Sequence, residues 1–333
     1  MKAPAKSASV WRRALSRHGV RWAFGLLITS MAGAQVIGAL PTTLVDRIDD
    51  FIYDMRMRVQ PAVMDPRIVI VNIDEKSLTE VGRWPWSRNV VADLVTILSD
   101  RYHARSIAFD VVFAEPDASS GYGTLASLAR RELKDVAAFG ERLQALKPAL
   151  DFDGRLAKAL QNRPVVLGYF LSNEKDAVLK GLLPAPAFTA ADLDGRSLDA
   201  TTWHGYSANL PELQLAARGG GFFNPLPDAD GVIRRVPLLA QFGSGYYESL
   251  ALATARVALD ATAIRPLFLQ ADGINSEAFL KQYGDIEAVK LNTLPRSTTI
   301  PVESLLTVMI QYRGPGGPQG GGYRYRSAAD VLK

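Results

Sequence analysis

Arg67-Ile68-Val69-Ile70-Val71-Asn72-Ile73-Asp74 is the stretch on which the fold reading turns. Ile68 to Val71 are consecutive β-branched residues without the polar alternation of a half-buried strand, so the run suits a strand covered on both faces. Pro61 and Pro66 break the chain ahead of it. Behind it, Ser87 stands as N-cap of a helix expected over 88–101, with Val91, Leu94, Val95 and Leu98 on one face. A second strand is expected over 106–113 and a third over 165–170. Between them lie a long insert, 115–150, with a helix over 125–146, and a further helix over 152–161. Strand, helix, strand, helix, strand implies right-handed parallel connections. The fold class is therefore α/β, a mixed, largely parallel sheet flanked by helices. Further on, 232–242 reads as a strand, 246–259 as a helix and 307–312 as a strand, while the Gly-rich stretches 219–221 and 314–322 read as loops. No internal repeat of 20 to 50 residues is found.

Working outward to the N-terminus, Lys2, Lys6, Arg12, Arg13, Arg17 and Arg21 fall in the first 21 residues with no acid among them. Taking those six from the chain's 38 Lys and Arg leaves 32 against 34 Asp and Glu, so the net +4 belongs to a short tail. A nucleic-acid-binding body would need its cations on a folded face. From Trp22 to Val45 no residue is charged, and Trp22 to Leu40 is interrupted only by Thr29, Ser30 and Gln35. At about 1.5 Å per residue that stretch spans roughly 28 Å, close to a hydrocarbon core. The expected organisation is a basic cytoplasmic tail over 1–21, one transmembrane helix over 22–44 and an exported body over 45–333, with Lys/Arg retention setting the orientation. A cleaved signal peptide ending at Ala32-Gly33-Ala34 competes, but apolarity continues past Ala34. A junction helix is expected over 44–58, with Leu44, Ile48, Phe51, Ile52 and Met55 at helical spacing. With 22% charged and 48% hydrophobic residues, the chain is neither disordered nor polytopic. The absence of Cys excludes disulfides, thiol nucleophiles and Cys-based zinc sites.

Candidate chemistry gathers at strand ends. Asp74, Glu75 and Asp110 stand at or near the C-terminal ends of two expected parallel strands, where open α/β sheets place their ligand crevices, and Glu115 and Asp117 follow. Such carboxylates suit a divalent cation or an acid/base pair; the structural alternative is that they cap turns or pair with Lys and Arg. In Gly82-Arg83-Trp84-Pro85-Trp86-Ser87-Arg88 two Trp flank a Pro, either packed under a sheet edge or walling a site where Arg83 or Arg88 receives an anion. Asp228-Ala229-Asp230-Gly231 lacks EF-hand spacing and reads as a turn into a strand, with Arg234 and Arg235 on opposite faces. P-loop, dinucleotide, hydrolase-elbow and kinase motifs are missing, and His18, His103 and His204 make no metal pattern. The ligand-binding set is thus Asp74, Glu75, Trp84, Trp86, Arg88, Asp110, Asp117 and Arg234, with no catalytic residue, no metal and no cofactor assigned.

Several blocks carry a family resemblance: Tyr53-Asp54-Met55-Arg56-Met57-Arg58, the run Ile68 to Leu78, Gly82 to Arg88, Ala108-Phe109-Asp110-Val111-Val112-Phe113-Ala114-Glu115-Pro116, Phe223-Asn224, Asp228 to Leu238, and Ser327-Ala328-Ala329-Asp330-Val331-Leu332. Together, across about residues 45 to 333, they resemble a CHASE2 domain, an extracytoplasmic sensory module of bacterial receptors. The insert 115–150 lies outside these blocks. The resemblance implies a sensor behind one N-terminal transmembrane helix in the bacterial inner membrane, its N-terminus cytoplasmic and its main domain periplasmic. It also implies a further strand, more transmembrane helices and a cyclase or kinase effector beyond Lys333. On that basis the chain is expected to be the non-enzymatic input half of a signal-transduction receptor, truncated at its C-terminus. Its partners would be the membrane, a small-molecule or physical signal and a second copy as a homodimer, with no nucleic acid. The alternatives are an exported metal-dependent hydrolase using Asp74, Glu75, Asp110 and Asp117, and an anchored remnant without output.

Overall fold

Every backbone N–H and C=O of a strand covered on both faces must find a partner, and here that demand falls on Val165–Ser172. The computed structural model describes residues 7–36, 43–173, 179–193, 195–196, 198–268 and 286–333. These divide into two units, one ending at Pro61 and the other beginning at Ala62.

In the first unit, one helix runs from Ser7 to Val36 and a second from Thr43 to Val59. The second agrees with the expected junction helix to within a residue at each end. Its Ile48, Phe51, Ile52, Met55 and Val59 fall on one stripe and are exposed. The first helix takes in residues 22–36 of the expected crossing. No helix among the described residues is long and apolar enough to cross a membrane. Trp22 to Val36 covers about 22 Å at 1.5 Å per residue, short of the roughly 30 Å of hydrocarbon. Extension backward brings in Arg21, and residues 37–42 of the expected segment lie outside those described.

In the second unit, Val165–Ser172 is central. Ile107–Phe109 runs parallel to it at Val165 to Leu167, and Gly205–Ser207 antiparallel at Phe170 to Ser172, on the same edge. Gly219–Phe222 lies parallel along the other edge. Helices Arg88–Thr96 and Phe152–Leu160 cover one end of one face, around Val91, Leu156, Leu160, Val165 and Leu167, all buried. Helix Leu250–Ala258 covers the opposite face at Val166 through Ala253 and Val257. A second sheet is formed by Phe188–Thr189, Gly245–Glu248, Leu239–Phe242 and Thr202–Trp203. Ile264–Phe268, Ile286–Leu291 and Thr298–Pro301 make a three-stranded antiparallel ladder, and Arg235–Pro237 pairs with Thr307–Met309. The α/β class holds, but the sheets are mixed rather than largely parallel: among the described residues antiparallel ladders outnumber parallel ones, six to five.

Several expectations are corrected. The strand at Val69–Asn72 forms, yet Ile68 and Val69 are about half exposed and the strand is hydrogen-bonded to Arg324–Ser327 on one side only. It is an edge strand, not a buried one. The strand expected over 106–113 ends at Phe109, because Phe113 donates its N–H to Asn209 Oδ1 at 2.8 Å and accepts from the Leu210 amide. The insert helix is two, Tyr122–Arg130 and Ala137–Leu150, since Arg131 leaves helical geometry. The single strand expected over 232–242 is two, switching sheets at Leu238, whose amide donates to Leu306. Tyr246 to Glu248 is strand rather than helix, and Ser249 caps the helix that follows.

Gly219–Phe222 is the largest departure, a buried strand where a loop was expected. Its glycines permit close approach: a Cβ on Gly221 would lie 2.5 Å from the Leu250 backbone. The second Gly-rich stretch, 314–322, is loop as expected.

Two buried asparagines complete the central strand. On the first edge, where the parallel neighbour gives way to the antiparallel one, Asn209 Nδ2 donates to Gly168 O at 3.0 Å. On the second edge, beyond Phe222, Asn224 accepts from the Leu171 amide at 2.8 Å and donates to its carbonyl at 2.7 Å. Asn224→Ala leaves both groups of Leu171 buried without partners. It is expected to cost about 2–4 kcal/mol in urea unfolding; a loss under about 1 kcal/mol would mean that the amide does not hold the strand.

Candidate functional site

The eight residues singled out in the sequence fall at separate places. Asp74, just past the strand Val69–Asn72, is the N-cap of the helix Glu75–Glu80. Its carboxylate accepts from Ser327 Oγ at 2.7 Å, the Ser77 amide at 2.9 Å and Ser77 Oγ at 2.8 Å. Those bonds, Ser327's first, hold it below the usual carboxylate range. Glu75 is exposed in the first turn of the helix. Neighbouring contacts stitch that helix to the helix Ala328–Leu332: Lys76 pairs with Asp330, Glu80 with Lys333, and Ser77 Oγ accepts from the Ala329 amide. Asp110 is exposed beyond the end of its strand.

Arg88 and Asp117 do come together. Ser87 sits at the N-cap position of helix Arg88–Thr96, but its side chain makes no cap bond. Asp117 Oδ2 takes the Arg88 amide instead, at 2.6 Å. The Asp117 amide donates in turn to Asp153 Oδ2 at 2.7 Å. The Arg88 guanidinium lies 4.5 Å over the Phe113 ring, with Nε 3.6 Å from Asp153 Oδ1. That separation is too long for a hydrogen bond, so the pair meets as an ion pair and both atoms are buried without a hydrogen-bond partner. Burial pushes Asp117 up, but bonds from Ser119 and the Arg88 amide outweigh it and leave the carboxyl low. Asp153 goes the other way, raised chiefly by burial with Asp117 and Asp151 nearby. Glu212 is likewise raised by burial and by Asp153. Sequence reasoning missed Asp153 because nothing local marks a helix N-terminal Asp as one that turns inward.

Trp86 is buried and donates to Gly82 O at 2.8 Å, while Trp84 stays partly exposed, edge-on to it at 5.8 Å. Arg234 is 3% exposed and bound by Asp228 at 3.0 Å and Asp230 at 2.8 Å across the turn closed by Gly231. Arg235 pairs with Glu303 at 2.9 Å. Among the described residues no three His, Asp or Glu side chains are grouped to hold a metal ion. The hydrolase alternative, which needed Asp74, Glu75, Asp110 and Asp117 to converge, therefore has no such site.

The model of the CHASE2 domain family matches residues 26–333. This chain belongs to the CHASE2 domain family. CHASE2 is a family of sensory domains. No curated protein and no solved structure matches the chain. In this CHASE2 domain the blocks that carry the resemblance are largely ties. Asp74, Ser77 and Ser327 join the first body strand to its partner near the C-terminus, Asn224 completes the central strand, and Arg234 closes its turn.

Asp153 gives the CHASE2 domain a testable pH signature. Its raised folded-state value means that the fold favours the protonated form, a contribution fully present below the unfolded value of about 4 and lost as pH rises through the folded value. Asp153→Asn cannot be charged, so the variant should gain on the parent as pH rises from about 4 to 7 in urea unfolding. A difference independent of pH would contradict this assignment.

Proposed function

We propose that this CHASE2 domain is the extracytoplasmic signal-input module of a membrane-bound bacterial receptor. The match over residues 26–333 carries the reading. The charge pattern supports its orientation: the basic tail stays in the cytoplasm, the uncharged stretch from Trp22 to Val45 holds the chain at the inner membrane, and the body lies in the periplasm. A stimulus, small-molecule or physical, biases the body between two states, and the bias leaves through the helix Thr43–Val59 to an effector of cyclase or kinase type. Such transmission requires that the stimulus interact differently with the two states. A second copy of the chain completes the receptor on this reading.

The eight ligand-set residues divide into roles on the same reading. Asp74 and Arg234 are committed to internal bonds and act by holding the body's shape. Arg88, with an unsatisfied Nε, and Asp117 beside it are the members placed to respond to a changed state. Trp84, Glu75 and Asp110, which are exposed, are proposed as contact surface, with the buried Trp86 packed beneath Trp84.

The test is topological. Alkaline phosphatase fused after Gln60, active only when exported, should give strong activity, while a cytoplasm-only reporter at the same position stays dark. The reverse pattern would overturn the proposed placement of the body.

A further inference from the structure

Between the central strand and the second sheet lies an aromatic layer. From the first come Tyr169 and Leu171, with Ala208 and Phe222 beside them; from the second come Ala240 and Trp203, and Tyr206 joins on the near side. Tyr206 is the register partner of Leu171. Across the second sheet, Phe242 is the register partner of both Trp203 and Gly245, and Ala240 that of Tyr247. The Phe242 ring is 5.3 Å from Tyr206, edge-on, and 6.4 Å from Tyr247. Small residues make the room for these rings: a Cβ on Gly245 would lie 2.9 Å from the Tyr247 ring. The layer is graded, with Tyr169, Ala208, Phe222 and Ala240 fully buried and Trp203, Tyr206, Phe242 and Tyr247 half-buried toward solvent.

Unsatisfied polar atoms concentrate here. The Tyr169 hydroxyl, Trp203 Nε1 and, two residues ahead of it, Thr201 Oγ1 are buried with no hydrogen-bond partner. Buried hydroxyl and indole N–H groups ordinarily find partners, and leaving them bare costs the full desolvation of each. Trp Nε1 can only donate. The Tyr169 hydroxyl stays protonated, held up by burial and then by Tyr247 and Glu248, so it too is a donor. Charge at this place is matched: among the described residues of the layer's surroundings, Glu248 takes Arg256 through bonds of 2.7, 3.0 and 2.8 Å.

We propose that this layer is a binding site for a small, uncharged, planar molecule carrying carbonyl or ring-nitrogen acceptors, stacked among Trp203, Tyr206, Phe242 and Tyr247 and accepting from Tyr169 and Trp203. Acceptors satisfy donors that otherwise stand bare, flat faces suit the rings, and neutrality suits a place without spare charge. Tyr169 Oη and Trp203 Nε1 are closed off from solvent in this structure, so the guest enters by displacing the half-buried rings of Tyr206, Phe242 and Tyr247. The site stands on geometry alone; that its occupant is the stimulus rests on the sensory reading above.

Benzamide, nicotinamide and uracil are suitable probes, titrated into the purified full chain in detergent by calorimetry. At least one should bind, and Tyr169→Phe and Trp203→Phe should each weaken it by about tenfold, the loss of one hydrogen bond. Tyr169→Phe removes a hydroxyl that has no partner, so its melting temperature without probe should match or exceed the parent's, which keeps the variant informative. Failure of all three probes to bind folded parent, or unchanged affinity in either variant, overturns the site. Binding here with a cytoplasmic body in the reporter assay would leave the site standing and remove the receptor; a periplasmic body without probe binding would do the opposite.

Discussion

The strand Val165–Ser172 must have its backbone satisfied on both edges at positions where its neighbours change, and much of the second unit is arranged around that requirement. Val165, Val166, Leu167, Tyr169 and Leu171 are wholly buried, so water cannot serve as a partner. One edge is shared by a parallel and an antiparallel neighbour, which leaves a seam at Gly168; the other loses its neighbour after Phe222. Asparagine, carrying a donor and an acceptor on one short side chain, fits both gaps. Asn209 closes the seam while also holding Phe113, and Asn224 imitates a missing strand residue opposite Leu171. These two side chains let a sheet of mixed direction pass through a dry core.

The same requirement explains what the sequence disclosed and what it concealed. Helices with a cap and a 3.6-residue stripe were readable, as Phe152–Leu160 and Thr43–Val59 were, because their signals are local. Runs of β-branched residues marked strands but not their depth: Val69–Asn72, from the β-branched run Ile68 to Val71, is at an edge, whereas Gly219–Phe222, which carries no such signal, is interior. Its Gly221 answers to the backbone of Leu250, a neighbour that no local window contains. Of the candidate site, the meeting of Arg88 with Asp117 depended on tertiary contact, and Asp153, Tyr169 and Trp203 are distinguished only by missing partners, a property that exists once the chain is folded.

A recurring device is the carboxylate that caps or pins backbone and cation together. Asp74 binds two serines and an amide, Asp117 replaces the expected Ser87 cap, and Asp230 and Asp228 share Arg234. Held by such bonds, Asp74 and Asp117 lie low in pKa and Asp230 at about 2, so their contribution is present above the usual carboxylate range and fades as pH falls through the folded values. Asp153 runs against that trend, since burial acts on it more strongly than its partners. Opposed carboxylates within one body make its folding stability depend on proton concentration in both directions.

The edge strand at Val69–Asn72 has a consequence for handling the protein. Apolar, half exposed and hydrogen-bonded on one side, it offers a row of backbone groups to any extended chain that drifts alongside. Arg67 before it and Asp74 after it, the first exposed and the second tied down, are the flanking charges that blunt such pairing. Self-association in concentrated solution would begin at this margin, and a lysine placed at Val69 would suppress it without disturbing the central strand.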